Sequence, residues 1–229
     1  MREKLLKLLP KLKGMDEDYI LSIENKYKDF LKYSCITPNA ISNTDLEITN
    51  PKVQNIENNI FTAINDRYNI GINFDGYNST DILAAKFIDT YFKYCFENDE
   101  FLEYILYIDT NLLLEDYKKL MNNSDAGNSP IPVYSTQTLY KDIENAPLVI
   151  WNRFSKIKTE YDRTKLYDIL LIRQRKGLCN MYFFTGGGAN LTSVIDKDLY
   201  EMMDIHIVID ASGRDFINNK QKGGINFQC

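Results

Sequence analysis

Residues 71–85, G-I-N-F-D-G-Y-N-S-T-D-I-L-A-A, run from a short apolar strand through a glycine and small polar residues into a helix. A phosphate-binding loop occupies such a junction. A working loop follows G-x-x-x-x-G-K-[ST]: its backbone N–H groups cradle the phosphates, lysine reaches the β and γ oxygens, and the hydroxyl holds Mg²⁺. Counting from Gly76, the second glycine position holds Asp81, the lysine position Ile82 and the hydroxyl position Leu83. An aspartate repels phosphate, and Ile82 supplies no charge. Gly76 to Thr80, with Ser79 between them, still offers a helix N-terminus, which attracts anions. Asp81 works against an anion there and reads better as a cap of its own helix. The expectation is a nucleotide-binding architecture that has lost its hydrolytic chemistry.

Outward from this junction the chain alternates strand and helix. Strands are predicted at 71–75, 104–109, 147–151, 179–185 and 205–210. Helices are predicted at 81–96, 111–121, 136–143, 160–176 and 196–203, with a loop at 122–132. The strands are almost continuously apolar, which predicts an α/β fold: a parallel five-stranded sheet with helices on both faces. A small helical region precedes it. Residues 2–13 place five positive charges and one negative among leucines, with Pro10 as a break. Residues 16–34 carry an apolar stripe of Ile20, Ile23, Tyr27, Phe30 and Leu31. The polar stretch 43–55 reads as a linker, followed by a helix over 53–68. The division is therefore 1–50 for the N-terminal region and linker and 51–229 for the α/β domain.

Composition sets outer limits. The chain is 44% hydrophobic and 26% charged, enough for a real core and against disorder. A net charge of −5 argues against coating nucleic acid by bulk charge. Cys35, Cys95, Cys179 and Cys229 are too scattered for a thiolate zinc cluster, and His206 is the single histidine. They read as free thiols in a reducing cytoplasm. No apolar run has membrane-spanning length, so no membrane role is expected. Neither a metal nor a cofactor is expected.

With the strands placed, the chain resembles the AAA+ domain of bacterial and phage replicative helicase loaders, from about residue 55 to about residue 216. Four patterns carry the resemblance: G-Y-N-S-T-D-I-L-A-A-K-F at 76–87, N-A-P-L-V-I-W-N-R-F at 145–154, T-E-Y-D-R-T-K-L-Y-D-I-L-L-I-R-Q-R-K-G at 159–177, and Y-F-F-T-G-G-G at 182–188. The third is the most specific. The resemblance implies a P-loop, AAA+-like sheet, a role in DNA replication, and a replicative helicase or helicase loader as partner. It also exposes departures. Where the family carries an acidic pair after its third strand, this chain has Trp151 and Asn152, and neither is a carboxylate base. Where the family carries a sensor asparagine, this chain has Gly187 within the run Gly186, Gly187, Gly188. Trp151 is expected to fill the vacated pocket, with an exposed partner-binding ring as the alternative.

A second candidate surface is basic. Residues 153–176 hold Arg153, Lys156, Lys158, Arg163, Lys165, Arg173, Arg175 and Lys176 against three acidic residues. Three readings stand: a solvated face, a contact for single-stranded DNA, or a contact for a protein. Asp109 and Asp210 fall at strand ends, and His206 reads as structural. The expected function is a non-enzymatic replication accessory protein, host-, phage- or mobile-element-borne, that assists or inhibits helicase loading. The alternatives are a single-stranded nucleic-acid-binding module and a non-catalytic clamp-loader-like subunit. A monomer or simple dimer is expected, because a ring organised by bound nucleotide would lose its organiser. Any dimer contact is expected on the apolar stripes of 2–13 and 16–34.

Overall fold

The computed structural model describes residues 1–36, 40–41, 47–74, 80–121, 136–154, 157, 159–185, 195–211 and 217–218. Five parallel strands form the centre: β2 (Ile70–Phe74), β3 (Leu106–Asp109), β4 (Leu148–Asn152), β5 (Cys179–Thr185) and β6 (Ile207–Asp210), in the spatial order β3-β4-β5-β2-β6. Every pairing between them is parallel. The two-residue strands β1 (Glu47–Ile48) and β7 (Ile217–Asn218) pair antiparallel beside it.

Alternation along the strands sorts side chains onto two faces. Ile70, Ile72 and Phe74 of β2, Ile150 of β4 and Phe183 of β5 belong to one apolar cluster. Val149 and Trp151 of β4 and Tyr182 and Phe184 of β5 belong to the other. Helices cover both. The first face receives α1 (Arg2–Leu8), α2 (Glu17–Tyr33), α3 (Pro51–Asn58), α4 (Ile60–Asn65) and α5 (Thr80–Glu97). The second receives α6 (Thr110–Met121), α7 (Thr136–Ile143), α8 (Glu160–Lys176) and α9 (Lys197–Met203).

The N-terminal stripes are buried, which corrects the expectation that they are exposed and available to a dimer. Leu5, Leu9 and Leu12 are at most 1% exposed, and Tyr27 and Phe30 are fully covered. They share a cluster with β2 and α5, so one core joins the N-terminal helices to the sheet. Burying each such side chain is worth about 1.5–3 kcal/mol, which outweighs a marginal exposed helix. A polar clamp reinforces the join: Lys4 Nζ lies 2.8 Å from the Asp89 carboxylate on α5, and the Tyr27 hydroxyl donates to the same carboxylate. Pro10 ends α1 and opens a single 3₁₀ turn, Pro10–Leu12.

The stretch read as a linker is partly structured. Asn50 caps α3 by accepting from the Lys52 and Val53 amides, and Pro51 sits at the first helical position, where its missing N–H costs nothing. The single helix expected over 53–68 is two, meeting at Asn59. Asp16 and Thr159 cap α2 and α8 in the same way as Asn50. Gly177 ends α8 in the left-handed conformation at φ +64°, where an added Cβ would meet the Arg67 guanidinium at 2.7 Å.

Candidate functional site at the crest of the sheet

All five strands of the parallel sheet point their C-terminal ends to one crest. The connection leaving β2 goes to the first face through α5, and the connection leaving its neighbour β5 goes to the second through α9. Open α/β sheets bind ligands at such a switch point. Residues 75–79, which follow β2, and 186–194, which follow β5, lie outside the described residues, and with them Gly76, Ser79, Gly186, Gly187 and Gly188.

On the first face, α5 opens at Thr80, which is fully buried. The Asp81 carboxylate, expected to cap its own helix, accepts a hydrogen bond from the Tyr107 phenol on β3. Burial, then the Asp81 carboxylate, pushes Tyr107 far above the ordinary tyrosine range, so the phenol remains a neutral donor. Leu83, at the position counted as the magnesium hydroxyl, is a fully buried core residue on α5. Ile82 beside it is half-buried.

At the end of β4 the chain turns sharply. Trp151 is fully buried on the second face. Its indole N–H donates to Asn180 Oδ1 at 3.1 Å. Trp151 is in register with Tyr182, so Asn180 lies two residues back along β5 and the ring leans away from the crest. It is therefore a core residue, neither a plug at the crest nor an exposed partner ring. Asn152, by alternation, faces the α5 side. Its backbone carbonyl accepts from Thr110 Oγ1 at 2.9 Å, while its buried Oδ1 has no partner among the described residues. Arg153 then adopts φ +55°, which returns Phe154 to the core. The Arg153 guanidinium lies 3.4 Å from Asp109 Oδ2, and Asp109 Oδ1 caps α6 by accepting from Asn111 and Leu112. Asp109 is thus committed on both oxygens.

Two further groups that the sequence did not single out line the crest. Asn73 of β2 donates through Nδ2 to Asp210 Oδ1 at 3.2 Å, and its own buried Oδ1 has no partner among the described residues. Asp162 of α8 is 6% exposed. Its Oδ2 takes Lys118 Nζ and Thr159 Oγ1, each at 2.7 Å, while Oδ1 has no partner among the described residues. It borders a cleft of about 590 Å³ with Asp109, Glu115 and Arg153. The crest atoms without a partner among the described residues are therefore oxygens on Asn73, Asn152, Asp162 and Asp196, all hydrogen-bond acceptors.

The described residues of the basic segment do not gather into one surface. Arg173 is fully buried, which removes it from any contact face. Its Nε donates to Asn180 Oδ1 at 2.7 Å, Nη1 to the carbonyls of Ile143 and of Ala146 (2.9 Å), and Nη2 to the Cys179 carbonyl at 2.6 Å. Desolvation lowers its pKa to about 10. Leu166, Ile169, Leu170 and Arg173 follow the i, i+3, i+4, i+7 spacing of one helix face, and all four are buried. That register was the signal for a buried arginine. Arg163 approaches Asp196 at 3.9 Å, and Lys165 approaches Asp168 at 3.8 Å. Lys176 donates to the Glu144 carbonyl and Asn145 Oδ1 at the far end of the helix, next to exposed Arg175. Lys156 and Lys158 lie outside the described residues. His206 is structural: Nδ1 accepts the Asn69 N–H at 3.1 Å, just before β6 begins.

No family model matches the chain, and no curated protein matches it. Among solved structures it is similar to a crystal structure of the DnaC helicase loader, at 16% identity and a TM-score of 0.47, over 69% of this chain and 86% of that one. It is also similar to a crystal structure of a DNA replication initiation factor, at 12% identity and a TM-score of 0.44, over 72% of this chain and 50% of that one. This chain thus spans half the length of the initiation factor. Neither likeness bears on what this chain binds.

Proposed function

We propose that this chain is a non-catalytic accessory protein of DNA replication that binds the replicative helicase or its loader and thereby assists or blocks helicase loading. One observation carries the non-catalytic part: the chemistry of the crest runs opposite to a nucleotide's needs. Phosphates are acceptors and anions, so they require N–H donors and cations. The described crest offers orphaned acceptors at Asn73, Asn152 and Asp162 and carboxylates at Asp81, Asp109 and Asp210. Asp81 stands in the first turn of α5, where a phosphate would have to approach. The replication part rests on the sequence resemblance, whose patterns fall on or beside α5, β4, α8 and β5. A reading as a nucleic-acid-binding module is weakened by the dispersal of the basic residues and the burial of Arg173. Without nucleotide to organise a ring, the protein acts as a monomer or two-fold dimer in the cytoplasm.

The test is direct binding of the purified replicative helicase and its loader to immobilised protein, with and without Mg-ATP. Binding to one of them that is indifferent to ATP is expected. Absence of binding to both would remove the replication reading.

A further inference from the structure

Residues 97–104, E-N-D-E-F-L-E-Y, connect α5 to the edge strand β3 and belong to no site described above. Phe101 is 84% exposed and Tyr104 46%. Together with Tyr33 they wall a groove of about 440 Å³ floored by Leu106, Ala146 and Pro147. Its size is that of a pocket for one or two side chains. The Tyr104 wall is braced, its ring 5.0 Å from Tyr33 and 6.0 Å from Phe30. An aromatic ring left this open forgoes burial energy and marks a contact surface when it borders an apolar groove.

The two charged residues that line the groove are both acidic: exposed Glu103, and Asp142 on the opposite wall. Among the described residues neither carboxylate has an ion-pair partner, and no lysine or arginine lines the groove. Lys176, which donates to Asn145 Oδ1, is also engaged by the Glu144 carbonyl. Burial raises the Asp142 carboxyl above its usual range, with Lys141 opposing only in part. Aromatic walls beside uncompensated carboxylates favour an occupant that is apolar at one point and cationic at the next.

We propose that this groove docks a segment of a partner protein presenting an apolar side chain followed closely by lysine or arginine. A second copy of this chain packed groove to groove would set Glu103 and Asp142 against themselves, and a nucleic acid or anionic lipid would meet like charge. An uncharged apolar ligand would dehydrate Asp142 and Glu103 without pairing them. The docking chemistry holds whether or not the partner is a replication protein, so it goes beyond the function proposed above.

Fluorescence anisotropy with a labelled amphipathic peptide of leucine and lysine tests it, beside two matched peptides with glutamate for lysine or serine for leucine. The leucine–lysine peptide is expected to bind about tenfold more tightly than either control, and Phe101→Ser and Asp142→Asn are each expected to weaken it about fivefold or more. Glu201→Gln on α9, remote from the groove and paired with Lys197, is expected to change nothing. Peptide-induced protection from amide exchange should fall on 101–106 and 142–147. Equal binding of the glutamate peptide, insensitivity to both groove substitutions, or protection elsewhere would overturn the proposal. So would a dimer dispersed by Phe101→Ser in light scattering, or an oligonucleotide bound at the same residues. Phe101→Ser keeps the fold, since that ring is mostly in water, and an unchanged thermal transition checks this.

Discussion

At the N-terminal end of the sheet, Arg173, Asn180 and Asn69 form a buried polar seam in which the donors find acceptors. Asn180 Oδ1 receives both Trp151 and Arg173, and Asn69 Oδ1 receives the Asn180 amide at 2.9 Å. Asn69 Nδ2 in turn donates to the Met203 carbonyl at 3.0 Å. At the C-terminal end, Asn73, Asn152 and Asp162 each keep a buried oxygen with no partner among the described residues. The contrast separates polar groups that hold the fold from polar groups that the fold leaves open. An unmade hydrogen bond at a buried group costs about 1–3 kcal/mol, so a fold keeps such groups at a cost. In an open α/β sheet they gather where ligands bind. Here they are acceptors, which fits a donor-bearing partner better than a phosphate.

The largest expected effect lies in the seam. Arg173→Met should lower the unfolding free energy by about 3–5 kcal/mol, because it strips donors from three buried carbonyls and Asn180. Arg175→Met, two residues on and exposed, should stay within about 0.5 kcal/mol. Urea denaturation of both variants measures the difference. A similar small cost for both would return Arg173 to the surface and dissolve the contrast.

A pair of asparagines sharpens it. Asn180→Leu should cost about 2–4 kcal/mol by removing the one acceptor shared by the Arg173 Nε–H and the Trp151 indole N–H. Asn152→Leu removes an oxygen that already lacks a partner and should cost under about 1 kcal/mol. Equal losses would mean that Asn152 is satisfied in solution. Trp151→Phe should cost about 1 kcal/mol through the lost indole hydrogen bond. Since Trp151 is the single tryptophan, native emission should be blue-shifted and resistant to iodide, and a red-shifted native spectrum would deny its burial.

The element boundaries were legible because local signals agreed with the fold. Apolar runs marked β2, β4 and β5, and helical spacing marked α5 and α8. The short ribbon of β1 and β7 was invisible, since two-residue strands carry no period. Arg173 was misplaced because charge counting ignores direction around a helix; its spacing from Leu166, Ile169 and Leu170 held the answer. Asp81 was read as a local cap because its partner, Tyr107, lies on another strand and sequence gives no distance between them. Asn73 and Asp162 escaped because an orphaned acceptor is a property of the packed structure alone.

The smallest effect is alkaline. Burial pushes the thiols of Cys35 and Cys179 up to about 12, above the ordinary value of 9.0. A raised folded pKa favours the protonated thiol. That stability is present below the ordinary thiol pKa and is lost as pH rises from about 9 toward 12. Tyr27 and Tyr182, also raised, act in the same direction at higher pH. Arg173, lowered to about 10, works the opposite way as it loses its proton. With more groups on the first side, the urea midpoint should fall modestly between about pH 8 and about pH 10.5. A rising midpoint would place Arg173 in control.

Titration calorimetry of the full chain with Mg-ATP, paired with phosphate release in the presence of helicase and single-stranded DNA, tests the central claim most directly. No binding in the micromolar range and no phosphate release above background are expected. Micromolar, magnesium-dependent binding, or turnover abolished by substitutions at Asp81 or Asn152, would contradict it.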